Sequence, residues 1–150
     1  MDAIKKILVP VDFSDAAGRT VDAAVALARR YEATLVLLHV YALPTYNFPD
    51  GAILSSAPMA AELSIASQRG LDHVAQRVAG SGVPFEAMLR EGSIDEEILR
   101  AADETGADLL VISTHGRRGL TRALMGSVAE SVLRSARVPV LVVPRVGESA

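Results

Sequence analysis

The chain of 150 residues has the length of one domain, and half of its residues are apolar, which is enough for one continuous core. Charged residues make up 22% of the sequence and nearly balance to a formal net charge of -3, which disfavours wholesale binding to nucleic acid or to acidic membranes. Cysteine is absent, so disulfides, thiolate metal sites and a cysteine nucleophile are excluded.

The amino-terminal segment does not look like a secretion signal, because an acidic residue precedes its short apolar run and no small-residue cleavage site follows. The longest apolar runs are strand-sized, far below the roughly 20 residues that a membrane span requires. We therefore expect a single cytoplasmic domain over residues 1–150, with no membrane or nucleic-acid partner.

Five apolar segments alternate with helical segments along the chain. Four are continuous runs rich in β-branched residues, which is typical of strands covered on both faces. The remaining one, third along the chain, has a weaker strand pattern. The predicted strands are Ile7–Val11, Thr34–Val40, Phe85–Leu89, Leu109–Ile112 and Val138–Val143. Helical periodicity predicts a first helix over about Asp15–Arg30 and a second whose apolar stripe runs from Leu63 to Val78.

Two later helix starts carry a common signature. Ser93 is followed three residues later by Glu96, and Ser127 by Glu130, and both pairs fit a capping box in which the serine oxygen accepts a free helical N–H. The glycines that we expect to end the preceding helices are Gly80, Gly82 and Gly106.

The alternating order predicts an α/β fold: a single-domain, open, mainly parallel five-stranded sheet with helices on both faces, of the Rossmann-like kind. Such sheets bind ligands beyond the carboxyl ends of their strands, where the strand order reverses. The loops after the strands are therefore the candidate sites. One of them, Tyr41–Pro58, contains three prolines and follows neither period, so it is predicted to be a long functional or disordered loop.

The segment between the fourth strand and the last helix is the most informative part of the sequence. Gly116 would let the chain turn sharply off the strand, and Gly126 with Ser127 would offer N–H groups and a hydroxyl at a helix start, which attracts phosphate. Glycine and serine are also common at ordinary helix starts, so the residues alone leave an anion site and a simple cap open.

Two further features of this region limit the possible ligands. Arg117, Arg118 and Arg122 form either a phosphate-facing cluster or, as is more usual for a charge run, a solvated face. Neither a Walker A sequence nor a GxGxxG motif follows the first strand, which argues against a P-loop NTPase and an ordinary dinucleotide enzyme.

Three blocks of sequence together resemble the universal stress protein family over essentially the whole chain. They are ILVPVDFSDAA, LLHV and STHGRRGLTRALMGSVAESVLRSARVPVLVVP. The nucleotide-binding pattern of this family is Gly, two residues, Gly, nine residues, then Gly-Ser or Gly-Thr. Gly116 and Gly126-Ser127 match its second half, whereas Ser113 stands at the first glycine position, where a small side chain is tolerable.

The resemblance implies ATP or AMP as the ligand, with Mg²⁺ held only through bound phosphates. It places Asp12 at the adenine, with Pro10 and Val11 lining that wall, and Val40 meeting the base through its backbone. The residues implied to surround the ribose and phosphates are Ile112, Ser113, His115, Gly116, Gly126, Ser127 and Val128. His115 would touch a phosphate or brace the turn.

Plainer interpretations stand beside these. Asp12, Ser14 and Asp15 are all eligible to cap the next helix. His39 and His73 are expected to be hydrogen-bonded or exposed rather than metal ligands, because no pair of histidines has helical metal spacing. For that reason we expect no permanent metal site. No nucleophile-elbow sequence occurs, so we also expect no catalytic residue.

The last strand, with Val140–Val143 almost unbroken, is too apolar for an exposed edge. The resemblance implies that it pairs across a homodimer, and the alternative is a strand buried inside its own sheet. The leading hypothesis is a stress-response switch that binds ATP or AMP. The alternatives are a non-nucleotide, homodimeric interaction module, favoured by Ser113, and a slow ATP hydrolase whose water-orienting residue is not identified.

Overall fold

The computed structural model describes residues 3–44, 49, 56–114 and 125–144. In chain order, the elements are β1 (Lys6–Pro10), α1 (Asp15–Tyr31), β2 (Thr34–Tyr41), α2 (Ala57–Ala79), β3 (Phe85–Glu91), α3 (Ile94–Thr105), β4 (Leu109–Ser113), α4 (Ser127–Ser135) and β5 (Val140–Val143). The strands form one five-stranded sheet in the order β3-β2-β1-β4-β5, and each neighbouring pair is parallel. The predicted α/β fold is confirmed.

The three central strands are buried on both faces, which explains their continuous apolar sequences. Ile7, Leu8 and Val9 of β1 are fully buried, for example, and their side chains alternate between two core layers. One layer lies under α1 and α2, and the other lies under α3 and α4. Since parallel strands need helical crossovers, and these crossovers cover both faces, no strand in the centre requires a polar side.

The ends of several elements differ from the sequence prediction. Helix α2 begins at Ala57, inside the segment that was predicted to be loop up to Pro58. Proline is compatible with the first helical turn because that turn has no acceptor for its N–H. The side chain of Ser56 accepts a hydrogen bond from the Met59 N–H at 3.3 Å, which caps the helix. The predicted terminators Gly80 and Gly106 do follow α2 and α3.

Both predicted capping boxes are wrong in detail. Ser93 is the N-cap of α3, but its hydroxyl donates to Asp95 Oδ1 at 2.8 Å instead of accepting a backbone N–H. The Asp95 Oδ1 atom also accepts the Glu96 N–H at 3.0 Å, so the carboxylate takes the bond that the capping box assigns to the serine oxygen. At α4, the N-cap is Gly126 and Ser127 is the first helical residue, so the helix begins one position earlier than the predicted Ser127 cap implies.

Strand β5 lies at the edge of the sheet, so the alternative of a strand buried inside its own sheet is wrong. It starts at Val140, two residues after the predicted Val138, and the Leu141 residue is 40% exposed. Among the described strands, β5 pairs with β4 alone, so its other side is an edge of the sheet. Within the described ranges, none of the helices has the length and apolar character needed to cross a membrane.

Candidate functional site

The strand order reverses between β1 and β4. From β1 the chain moves outward through β2 to β3, and it then crosses back to β4 on the other side of β1. The connections leaving β1 and β4 therefore diverge to opposite faces of the sheet, which opens a crevice at the carboxyl ends of these two strands. The candidate site is this crevice, with the β1–α1 loop (residues 11–14) on one side and the start of α4 on the other.

The β1–α1 loop is fixed to β2 through the Val11 residue. The Val11 N–H donates to Leu38 O at 2.8 Å, and His39 Nδ1 lies 2.6 Å from Val11 O. Because a carbonyl oxygen only accepts, His39 Nδ1 carries the proton and donates it. His39 is thus a hydrogen-bonded strand residue, as predicted, and it holds the wall to which Val11 belongs.

Asp12 follows directly and holds the turn into α1. Its Oδ1 atom accepts the Ser14 N–H at 3.0 Å and the Ser14 hydroxyl at 2.6 Å. Ser14 is the N-cap of α1 by its backbone, without a capping bond from its side chain. Of the three residues eligible as caps, Ser14 is thus the N-cap, whereas the Asp12 carboxylate holds the turn before the helix. Neither of these bonds involves Oδ2, and the side chain is only partly buried.

Phe13 is a residue of this loop that sequence reasoning missed. Its φ is 63°, in the left-handed region that bulky residues rarely adopt. Its ring stacks on the His39 ring with 4.0 Å between centroids and 28° between planes. A phenylalanine after Asp12 carries no local signal for such a conformation, because only the tertiary contacts hold it.

Val40 and Pro10 complete this side of the crevice. Pro10 is the last residue of β1 and pairs with Leu38, so Val40 lies two residues beyond the end of β1 pairing. The Val40 side chain is buried in the core layer under α3 and α4. The role of the Val40 backbone towards a ligand stays a prediction.

On the β4 side, the chain is fixed where it leaves the strand and where it returns. Ile112 is buried, and the Thr114 N–H donates to Val143 O at 3.2 Å. The Gly126 N–H donates to Thr114 O at 2.7 Å, which brings the start of α4 beside the end of β4. Gly126 therefore uses its own N–H within the protein, and Ser113 lies one residue from this contact.

The start of α4 has the properties of an anion site. By helix geometry, the N–H groups of Ser127, Val128 and Ala129 have no acceptor inside the helix. In the part of the chain that the structure describes, no side chain caps this helix. Ser127 is exposed, whereas Gly126 and Ala129 are buried. The bond from the Gly126 N–H to Thr114 O places this end of the helix at the carboxyl end of β4. The predicted site residues His115 and Gly116 lie outside the described residues, as do the three arginines.

Helix α4 is attached to α3 through a carboxylate. Ser131 Oγ donates to Asp95 Oδ2 at 2.6 Å, while the Ser93 hydroxyl bonds the other oxygen. The hydrogen bond from Ser131, followed by that from Ser93, lowers the pKa of Asp95. This contact joins the middle of α4 to the first turn of α3.

A metal-binding group is not found among residues 3–44, 49, 56–114 and 125–144: no three His, Asp or Glu side chains there lie close enough to hold an ion. His73 is exposed on α2. The described part of the crevice thus presents a fixed carboxylate on one side and backbone donors on the other.

The parallel sheet with its order reversal defines an open α/β domain whose candidate site lies at the carboxyl edge. The model of the universal stress protein family matches residues 3–144, and the chain belongs to this family.

Individual relatives cover almost the whole chain. A universal stress protein from Methanocaldococcus jannaschii is 34% identical over 142 residues, which are 94% of this chain and 82% of the relative. The solved structure of UspA from Lactobacillus plantarum is similar with a TM-score of 0.80 and 30% identity, covering 95% of this chain and 99% of that one. A universal stress protein solved in complex with cAMP is 28% identical with a TM-score of 0.67, covering 95% and 98%.

Proposed function

We propose that this protein binds an adenine nucleotide, ATP or AMP, in the crevice between the β1–α1 loop and the start of α4, and that it works as a cytoplasmic stress-response switch. The observation that carries the proposal is the first turn of α4, whose N–H groups no described side chain caps, at the same edge of the sheet as the loop that contains Asp12. A helix start of this kind attracts phosphate through its N–H groups and its dipole.

The two sides of the crevice have different tasks in this proposal. Asp12 accepts a hydrogen bond from the nucleoside part, beside Pro10 and Val11, and the Val40 backbone meets the base. Ser127 and Val128 donate to the phosphates, while Gly126 lets the chain come close to them. Ile112, Ser113, His115 and Gly116 complete the ribose and phosphate region, and Mg²⁺ is held through the phosphates alone.

The family relationship supports the nucleotide over other anions. A relative that is 28% identical over nearly the whole chain was solved with cAMP, which contains both an adenine and a phosphate. Free phosphate alone would use only the start of α4 and would leave Asp12 with a role in the turn only.

Calorimetric titration of the purified protein with ATP and AMP, each with and without Mg²⁺, tests the proposal. We expect saturable binding of at least one of them, and no heat at millimolar nucleotide would contradict it. Adenosine and inorganic phosphate, titrated separately, distinguish base recognition from a general anion site. Binding of phosphate with the same affinity as AMP would contradict the assignment of Asp12.

Switching requires a surface that reports occupancy, and β5 is the candidate. Its outer edge is apolar, with Leu141 40% exposed, and an uncovered strand of this kind promotes pairing with another chain. We propose that two copies associate through β5. Light scattering after size exclusion should give a dimer, and Leu141→Lys should shift it towards monomer. A monomer in the unmodified protein would contradict this part of the proposal.

A further inference from the structure

Helix α2 contains a glycine, Gly70, far from either of its ends. Glycine weakens a helix interior, so a glycine there calls for a reason in packing or function. A Cβ atom built on Gly70 would lie 2.5, 2.7 and 2.8 Å from three atoms of the Phe13 ring. No side chain fits at position 70 while Phe13 keeps its place.

The Phe13 ring is enclosed between two elements. It stacks on His39 of β2 at a centroid distance of 4.0 Å, and it contacts α2 where Gly70 leaves space. Its φ of 63° is unfavourable for a phenylalanine, so the surrounding contacts hold the backbone in this state. The Phe13 ring therefore packs in its observed position only because residue 70 has no side chain.

This contact completes the attachment of the β1–α1 loop. β2 holds Val11 at both its N–H and its carbonyl, and Ser14, two residues after Asp12, fixes the Asp12 carboxylate. Phe13 lies between the two attachment points, and its left-handed backbone sets the direction in which the chain passes from Val11 to Ser14. A displaced ring would change that direction and turn the Asp12 carboxylate.

We propose that Gly70 is a positioning residue of the candidate site: it acts through Phe13 to hold Asp12 in the orientation that accepts the nucleoside. The inference rests on the proposed nucleotide binding, and it adds a determinant on α2 that needs no contact with the ligand. A glycine that only allows close packing would affect stability alone, without changing the Asp12–Ser14 geometry.

Gly70→Ala tests the proposal. Alanine should displace the Phe13 ring and weaken AMP binding at least fivefold, although alanine favours a helix. Gly80→Ala is the matched control, because a Cβ at this other glycine of the α2 region would lie 3.5 Å from its nearest neighbour, an ordinary contact. It should bind AMP as the unmodified protein does.

A double substitution separates positioning from general damage. Phe13→Gly removes the ring and relieves the left-handed strain, so in this background Gly70→Ala should cause no further loss of AMP affinity. If Gly70→Ala lowered AMP affinity by the same factor with and without the Phe13 ring, the inference would be overturned. If Gly70→Ala alone fails to fold, the Phe13→Gly variant can still be compared with the double variant, because the double variant has no ring for the alanine to collide with.

Two NMR signals report the mechanism without nucleotide. The His39 ring protons should lose the ring-current shift of the stacked Phe13 in Gly70→Ala, and the Ser14 amide, bonded to Asp12, should also move. Unchanged signals would overturn the inference. If the unmodified protein bound no nucleotide, the proposed function would fail first, and the inference with it; if it bound AMP and Gly70→Ala bound equally well, the inference alone would fail.

Discussion

The two loops beside the crevice are held in different ways. In the β1–α1 loop, side chains fix the backbone: His39 bonds Val11, Asp12 bonds Ser14, and Phe13 stacks on His39. At the start of α4, backbone groups fix one another, through Gly126 N–H to Thr114 O, and no described side chain caps the helix. The first arrangement presents one carboxylate in a defined orientation, whereas the second leaves N–H donors for any anion.

We expect the β1–α1 loop to provide selectivity for the base and the start of α4 to provide attraction for the phosphate. A fixed carboxylate discriminates between bases, because a wrong base leaves its lone pairs unpaired. A helix start attracts phosphate of any origin. Substitutions on the two sides should therefore change different parts of the nucleotide affinity.

The largest effect is expected for Ser127→Asp. The new carboxylate lies at the start of α4, where it interacts favourably with the helix dipole and repels phosphate. We expect AMP affinity to fall about 30-fold, roughly 2 kcal/mol, while the free energy of unfolding rises by about 0.5 kcal/mol. Calorimetry and denaturant unfolding measure the two quantities.

Two controls make this result specific. Ser127→Asn has a similar size without the charge and should retain most of the affinity. Adenosine lacks the phosphate, so its affinity should not change in Ser127→Asp. A parallel loss for adenosine would show that the substitution damages the site as a whole.

Asp12→Asn tests the other side of the crevice. Asparagine retains an oxygen for the Ser14 bonds but loses the charge, so we expect about tenfold weaker binding of both AMP and adenosine, close to 1.5 kcal/mol. The free energy of unfolding should change much less than in Asp12→Ala, which removes both Ser14 bonds. Unchanged affinity in Asp12→Asn would leave Asp12 with a role in the turn only.

A smaller effect is expected where α4 meets α3. Ser131→Ala removes the hydroxyl that donates to Asp95, which should lower the free energy of unfolding by about 1 kcal/mol at neutral pH. Ser131→Thr keeps a hydroxyl and serves as the control. AMP affinity should change little, because Ser131 follows the first turn of α4 and its hydroxyl bonds Asp95 of α3 rather than the N–H groups of that turn. A large loss of affinity would mean that the start of α4 depends on this helix contact.

This effect should depend on pH in a defined direction. The hydrogen bonds lower the pKa of Asp95 from its ordinary value of 3.8, so their contribution is present above that value and is lost as the pH falls through the lower pKa of the folded state. Denaturant unfolding between neutral pH and about pH 2 should therefore show the difference between Ser131→Ala and the unmodified protein becoming smaller. A constant difference would contradict the assignment.

The smallest effect is expected for the ion pair between α1 and α2. Arg77 Nη2 contacts both Asp22 oxygens, at 2.7 and 2.8 Å, but the two side chains are 53% and 64% exposed. Arg77→Gln should cost about 0.3 kcal/mol, and less at high salt. A cost above 1 kcal/mol would mean that this pair stabilises the contact between α1 and α2 more than an exposed ion pair usually does.

Several predictions from the sequence depended on patterns that act over a few residues, and these were confirmed. Four continuous apolar runs and the weaker segment Phe85–Leu89 located the five strands, and their alternation with helical periods gave the α/β class. Boundaries were less accurate. α2 starts inside the predicted loop because Pro58 is compatible with a first turn, and Ser93 bonds Asp95 because a nearby carboxylate competes with the backbone.

The candidate site was predictable only in part, because contacts between residues distant in the chain leave no local pattern in the sequence. Asp12, Val40 and the Gly126-Ser127 pair were identified from motif resemblance, and their roles towards a ligand remain predictions. The use of the Gly126 N–H by Thr114, and the left-handed Phe13, depend on groups that meet only after folding. Neither has a local signature in the sequence.

The sequence by itself determined which segments become strands and helices, because burial on two faces demands continuous apolar runs and burial on one helix face demands a 3.6-residue period. Tertiary structure decided the strand order that places β5 at an edge, and it decided the pairing of Gly70 with Phe13. Both depend on contacts between residues distant in the chain, whose geometry is fixed only when the sheet and its covering helices pack together.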